Sequence, residues 1–223
     1  MAIAEHATLR VDGPGGPETH AFASAAEAAA RAAFINEALS WVGTPFQDCA
    51  DVKGPHGCVD CAMLLVRCAV DTGRFAPFDP RPYPPRWHLH RGEERFIGWI
   101  AGTLGAAEVV APRVGDVVLW QFGRCFSHGA VLINATEVVH AYYAAGTTLV
   151  SRLHEPLLDY ISDGRLNIPR PVRYFDLWRP TPHPQSGGGG ARSATEGAQS
   201  GLNALSVSLS ADTSPVSRVR SAP

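Results

Sequence analysis

The order of local patterns along the chain constrains its fold more than any other feature of the sequence. Segments with helical spacing and much alanine come first, and short runs rich in β-branched and aromatic residues follow from residue 114 onward. Chains in which helices precede a run of strands typically form α+β domains with an antiparallel sheet. The sequence therefore predicts an α+β fold with N-terminal helices packed on an antiparallel β-sheet.

The predicted helices have recognisable starts and stops. Ser24 opens an alanine-rich segment as a capping residue, and Gly43 is placed to end it. A second, apolar helix is predicted to begin at Cys61, with Asp60 as its N-cap. A third helix is predicted over 88–110. The predicted strands cover residues 114–122, 128–133, 137–143, 147–153 and 170–180.

Composition divides the chain into one folded domain and two flanking segments. Residues 1–22 contain the turn-forming cluster DGPGGP and are predicted to be a flexible lead. Residues 23–181 form the predicted domain, which is long enough to bury a core. Residues 182–223 are rich in Gly, Ser and Ala and poor in aromatics, so we expect a disordered tail.

Bulk properties exclude several function classes. The formal net charge of -2 argues against a surface built for nucleic acid or anionic lipid. No apolar run approaches the roughly 20 residues that a membrane span requires. The N-terminal residues lack the basic and apolar regions of a secretory signal, so synthesis in the cytoplasm is expected.

The stretch GCVDCAML, residues 57–64, admits several chemistries. Cys58 and Cys61 have the spacing of half a zinc site, but no second pair of ligands follows, and a redox pair would be expected in a βαβ context. Buried cysteines are also common as small core residues, which is the reading favoured for Cys49 and Cys68. Cys61 differs because the first turn of a helix favours an anion, which predicts a lowered thiol pKa and a nucleophilic role.

A base for this thiol is predicted in the strands. His128 and His140 lie in neighbouring β-rich runs joined by the turn sequence INATE. A hairpin centred on Asn134 would set the two histidines opposite each other, with Cβ atoms about 5 Å apart, and a register two residues away would keep them on one face. One imidazole would then accept the thiol proton while the other orients it.

These residues lie in segments that resemble the NlpC/P60 cysteine peptidases of bacterial cell walls. The resemblance covers about residues 30–180, and the short form is similar to the phage-type branch. The matching segments are WVGTPF (41–46), VDCAMLLVRC (59–68), RVGDVVLW (113–120), SHGAVLI (127–133) and VVHAY (138–142).

The resemblance implies a papain-like fold and hydrolysis of peptidoglycan stem peptides, commonly between D-γ-glutamate and a diamino acid. It implies Cys61 as nucleophile, His128 as base and His140 as orienting residue, with no metal or organic cofactor. Asp60 matches an acidic residue that caps the helix or binds a substrate amine. Its phage-type form implies tail proteins as partners and a phage-like particle that carries the protein to the cell wall.

Two departures from the family pattern concern the substrate. Ala62 stands where many members have serine, and Phe46 stands where tyrosine is usual. Both changes remove hydroxyl groups, which puts a requirement for a free peptide N-terminus in doubt. Two further hypotheses remain: a catalytically silent wall-binding or tail module, and an acyltransferase or amidase that uses the same Cys–His chemistry. A disulfide between Cys58 and Cys61 that silences the thiol is also a hypothesis.

Overall fold

A computed structural model of the chain describes residues 7–155, 158, 160–162 and 167–178. Within these residues the chain forms two regular α-helices, a shorter helical stretch, α3 (Arg95–Ile97), which continues as a π-helical turn over Gly98–Thr103, and twelve strands. The long helices are α1 (Ala25–Leu39) and α2 (Cys61–Asp71). The strands are β1 (Ala7–Gly13), β2 (Gly16–Phe22), β3 (Asp51–Val52), β4 (Cys58–Val59), β5 (Ala107–Val109), β6 (Val117–Phe122), β7 (Cys125–Leu132), β8 (Glu137–Tyr142), β9 (Thr147–Arg152), β10 (Tyr160–Ser162), β11 (Asn167–Pro169) and β12 (Val172–Asp176).

The central element is a six-stranded sheet in the order β5-β12-β6-β7-β8-β9, in which every neighbouring pair is antiparallel. Helix α2 packs across β7 and β8, and α1 packs on α2. The predicted α+β architecture is confirmed, and so is each of the five predicted strands. No helix in the described ranges is long and apolar enough to cross a membrane.

Both predicted helix starts are observed. The Ser24 hydroxyl accepts a hydrogen bond from the Glu27 N–H at 3.1 Å and so satisfies one of the free amides at the start of α1. In α2, Leu64 and Leu65 are buried against the sheet. A Cβ at Gly129 of β7 would lie only 2.7 Å from Leu65 Cδ1, so glycine at this position lets the helix approach the strand that carries His128.

The predicted flexible lead is wrong for residues 7–22. Strands β1 and β2 form an antiparallel hairpin in which Gly13 pairs with Gly16, so the Gly/Pro cluster is its turn. Leu9 and Val11 lie two residues apart, face the same side and are buried with Phe22 in the main core. Residues 1–6 and the predicted tail over 182–223 lie outside the described residues.

The helix predicted over 88–110 is also wrong in extent. Helical structure is limited to a 3-10 turn at Trp87–Leu89 and the stretch from Arg95 to Thr103. A tertiary contact competes with it, because the His88 carbonyl, which a continuous helix would use, accepts a hydrogen bond from the Arg124 N–H at 2.8 Å. The β-rich end of the segment instead forms β5, which pairs with β12.

A buried ionic cluster joins α1 to the sheet. Arg31, which has no exposed surface, donates to Asp116 Oδ1 at 2.7 Å and to Asp176 Oδ1 at 2.9 Å. It also donates to the Val114 carbonyl at 2.8 Å and to Glu27 Oε1 at 3.0 Å. These bonds compensate the charge of a guanidinium that is removed from water.

Candidate active site

The helix start at Cys61 is organised by one carboxylate. Asp60 Oδ1 accepts from the Ala62 N–H at 3.0 Å and the Met63 N–H at 2.8 Å, which caps α2. Its Oδ2 accepts from the Cys49 N–H and the Tyr83 hydroxyl, both at 2.7 Å. With four protein donors on a carboxylate that is 4% exposed, Asp60 serves as a helix cap, and its oxygens are not open to a substrate amine.

A cleft of about 380 Å³ lies at this helix start. Five of the six predicted site residues line it: Phe46, Asp60, Cys61, Ala62 and His128. The other lining residues come mainly from the proline-rich loop before Trp87 and from the ends of β6 and β8. They are Asp48, Tyr83, Pro85, Arg86, Trp87, His88, Leu89, Phe122, Ser127, Tyr142, Tyr143 and Ala144.

Behind the cleft, His128 begins a chain of buried hydrogen bonds. Its Nε2 lies 2.8 Å from Nδ1 of His140, and His140 Nε2 lies 2.8 Å from the Ser151 hydroxyl oxygen. The tautomer in which each Nε2 carries the proton donates along this chain from His128 through His140 to Ser151. In that tautomer Nδ1 of His128 is left as an unprotonated base.

The strand pairing that produces this contact differs from the predicted register. Val131 pairs with Val139 and Leu132 with Val138, so the hairpin is shifted by two residues from one centred on Asn134. His128 and His140 are therefore diagonal rather than opposite, and both still point to the same face because side chains alternate. The predicted register is wrong, and the predicted proximity of the two rings is confirmed.

Aromatic rings surround His128 and keep water from it. The Trp120, Phe122 and Tyr142 rings lie with centroids 5.8, 5.1 and 5.4 Å from that of His128. Burial, with His140 adjacent, holds the pKa of His128 well below its ordinary value. Burial also lowers the pKa of His140 to about 4, so both rings are neutral at physiological pH.

The expected low thiol pKa of Cys61 is not found. Burial and the neighbouring Asp60 carboxylate raise the pKa of this thiol, and these effects exceed the opposing effect of the backbone amides of Gly129 and Cys61. The half-buried thiol donates to the Ser127 carbonyl, with Sγ and oxygen 3.7 Å apart. The resting site therefore holds a neutral thiol and a neutral imidazole in one cleft.

The remaining cysteines and supporting positions have simpler roles. All five cysteines are free thiols, and Cys68 is buried in the core. Within the described ranges, no group of three or more His, Cys, Asp or Glu side chains is arranged to hold a metal ion. Phe46 packs edge-on against Tyr143 with centroids 5.7 Å apart, so it shapes the cleft wall.

Three residues of the site were not predicted from the sequence. Tyr83 lies in a loop with five prolines in twelve residues, where no periodicity identifies a buried hydroxyl. Ser151 lies two residues beyond Leu149, the partner of His140 across the β8–β9 pair, so only the observed register brings it to the ring. Arg86 lies in the same proline-rich loop as Tyr83, where nothing in the sequence distinguishes it from other arginines, and the structure places it at the cleft.

No family model matches the sequence, and no curated protein matches it. Several solved structures are similar in part to this chain. The peptidoglycan hydrolase RipB from Mycobacterium tuberculosis is 17% identical, with 70% of this chain and 68% of that chain covered and a TM-score of 0.42.

Two further solved structures show a similar degree of likeness. The P60 domain of an antigen from M. avium subspecies paratuberculosis is 15% identical, with 69% and 98% covered and a TM-score of 0.43. A hypothetical invasion protein of Mycobacterium tuberculosis is 14% identical, with 76% and 72% covered and a TM-score of 0.40. At these identities the roles of site residues rest on the geometry of this chain.

Proposed function

We propose that the protein is a cysteine peptidase of the NlpC/P60 type that hydrolyses amide bonds in peptidoglycan stem peptides. One observation carries the proposal: Cys61 opens a helix in the same cleft as His128, and the His128 ring is fixed by a 2.8 Å contact with His140. A thiol, a neutral base and a third group that orients the base are the parts of nucleophilic amide hydrolysis.

In the first half of the reaction, Cys61 is acylated. On substrate binding the thiol turns from the Ser127 carbonyl to Nδ1 of His128, which accepts its proton as Sγ attacks the amide carbon. Asp60 occupies the amides of Ala62 and Met63, which leaves the Cys61 N–H to stabilise the oxyanion. His128 then protonates the leaving amine as the C–N bond breaks.

In the second half, water hydrolyses the thioester. Nδ1 of His128 accepts a proton from the water as its oxygen attacks the acyl carbon. The carboxylic acid leaves, and the proton returns to Sγ of Cys61. Throughout both steps the Nε2–H of His128 donates to Nδ1 of His140, which preserves the ring orientation.

The resemblance noted in the sequence supports two finer proposals. The bond cleaved is that between D-γ-glutamate and the diamino acid of the stem peptide. The protein acts as part of a phage-like particle, with tail proteins as partners, and such particles carry it to the cell wall. Affinity purification of a tagged chain from producing cells tests the second point, since recovery without tail proteins would contradict it.

The test of the activity is digestion of purified murein and of synthetic stem peptides, read by mass spectrometry. We expect new fragments with the wild-type protein and none with Cys61→Ala, and their masses identify the bond. Cys49→Ala is the matched control, because it removes another half-buried cysteine near Asp60 and leaves the nucleophile in place.

Two outcomes would replace the proposal. If a reduced and folded wild-type protein yields no fragments and binds murein, the protein is a wall-binding module. If excess amine is incorporated in place of water, the protein is an acyltransferase, because both reactions share the acyl-enzyme.

A further inference from the structure

Arg86 occupies a distinctive place in the cleft. Among the residues that the structure describes, it is the one lysine or arginine that lines the cleft shared by Cys61 and His128. Its neighbours in the chain are engaged elsewhere: Arg81 pairs with Asp79 at 2.7 Å, and Arg91 with Glu93 at 3.7 Å. No carboxylate of the described residues forms an ion pair with Arg86.

The guanidinium is nevertheless held in position. Its Nη2 donates to the Tyr143 hydroxyl at 2.7 Å, and its Cζ lies 4.7 Å from the centroid of the Tyr143 ring. Tyr143 is in turn packed against Phe46. A guanidinium has five N–H donors, and a single hydroxyl acceptor leaves a pair free to bind a planar anion.

The backbone at Arg86 is also unusual. Its φ of 55° and ψ of 31° lie in the left-handed region, which is costly for a residue with a Cβ. Outside glycine, only Cys49 shares a positive φ among the described residues, and its N–H binds Asp60 at the cleft. Such conformations cluster where a side chain must be directed to a ligand.

We propose that Arg86 is the carboxylate-binding residue of the substrate site, held in place by Tyr143. The inference rests on the proposed function and deepens it, because it names the chemical group that the cleft selects. Asp48 and Asp60 line the same cleft as Cys61, and their carboxyl groups disfavour a substrate carboxylate on that side of the cleft. The planar guanidinium of Arg86 has the geometry to donate two parallel hydrogen bonds to the two oxygens of a carboxylate.

A γ-linked glutamyl substrate supplies this group. When the side-chain carboxyl of glutamate forms the scissile amide, its α-carboxylate stays free and ionised, a few bonds from the carbonyl that Cys61 attacks. The site therefore takes γ-glutamyl peptides with a free α-carboxylate in preference to those in which this carboxylate is an amide.

The test compares two synthetic stem peptides that differ only in this group, the α-carboxylate and the α-amide. We expect the wild-type protein to cleave the carboxylate peptide with a kcat/KM about tenfold higher, as one charge-assisted contact at an exposed site allows. Arg86→Gln should lower kcat/KM for the carboxylate peptide to about that for the amide peptide and should have a much smaller effect on the amide peptide. Tyr143→Phe should give a partial loss of discrimination.

Arg91→Gln is the control, since Arg91 is an exposed arginine five residues along the same loop and does not line the cleft. Equal cleavage of both peptides by the wild-type protein would overturn the assignment of Arg86 while leaving the peptidase intact. An equal fall on both peptides in Arg86→Gln would also overturn it, because that pattern indicates a structural role. Cleavage of neither peptide by the wild-type protein would instead contradict the proposed function.

Discussion

The polar cluster around Arg31 and the polar cluster behind Cys61 are both buried, and they differ in how completely their groups are bonded. Around Arg31, four hydrogen bonds and three carboxylates compensate the charge of the guanidinium. In the second cluster the thiol and both histidines are neutral, and the bonded chain runs away from the cleft through His140 to Ser151.

The comparison separates a structural arrangement from a reactive one. Arg31 has four of its five N–H donors bonded and no exposed surface, so it offers no open face to a ligand. The second cluster leaves one ring nitrogen of His128 able to accept a proton, and His128 lines a cleft that also contains Cys61. Burial there holds the base neutral and hence able to accept a proton, which is the requirement for general base catalysis.

The largest expected effect comes from removing the base. His128→Ala should lower kcat about 10³-fold, because among the described residues no other member of its chain of hydrogen bonds lines the cleft with Cys61. Steady-state cleavage of a stem peptide measures it, with circular dichroism as the check on folding. Combining it with Cys61→Ala should add no further loss, since the two residues act as a unit. Additive losses would contradict their pairing.

Substitution in the cluster around Arg31 should lower stability and leave catalysis unchanged. Arg31→Met leaves Asp116 buried without its cation and Asp176 with Arg113 as its remaining cation, and it should lower the free energy of unfolding by about 3–5 kcal/mol. Urea denaturation measures the change, and kcat per folded molecule should stay as in the wild type. Arg67→Met, which removes an exposed pair with Asp71, is the control and should cost less than about 1 kcal/mol. A loss of kcat in folded Arg31→Met would show that the clusters are coupled.

The pH dependence of kcat/KM sharpens the contrast further. The base must be neutral, and burial holds the pKa of His128 well below the ordinary 6.5, with that of His140 at about 4. Activity should therefore persist as pH falls through 6.5 and decline only in more acidic solution. A pH–rate profile on folded protein measures this acid limb. A half-maximal point at or above 6.5 would mean that the base is not desolvated.

The smallest effect is expected at Ser151, the last residue in the series of hydrogen bonds that begins at His128. Ser151→Ala removes the acceptor of the His140 Nε2 proton and should lower kcat about three- to tenfold through loss of ring orientation, with KM unchanged. Ser151→Thr retains the hydroxyl and should restore activity. Equal losses in both variants would assign Ser151 to packing alone.

The sequence predicted which residues come together at the site better than it predicted how their strands pair. Asp60 and Cys61 were predictable because a helix cap depends on neighbouring residues, and the alternation of strands placed His128 and His140 on one face in either register. The predicted hairpin centre, Asn134, was wrong by one residue, which shifts the partner of each strand residue by two. The turn INATE does not itself determine which strand residues pair. Ser151 depended on that register and was missed.

Tertiary contacts account for the other misses. The hairpin over residues 7–22 is read from its sequence as a turn-rich lead, and its stability comes from packing of Leu9 and Val11 in a core that local patterns do not reveal. The thiol pKa of Cys61 likewise depends on tertiary contacts. Helix position alone predicts a decrease, whereas the surrounding burial and Asp60 determine the increase.

Covalent catalysis by Cys61 is tested most directly by detecting the acyl-enzyme intermediate. A γ-glutamyl stem peptide is mixed with the wild-type protein, the reaction is quenched in acid within its first turnover, and the intact protein is weighed by mass spectrometry. We expect that the proposed mechanism gives an added acyl mass, which peptide mapping locates on Cys61. Cleavage that proceeds equally in Cys61→Ala, without any adduct on the wild-type protein, would contradict it.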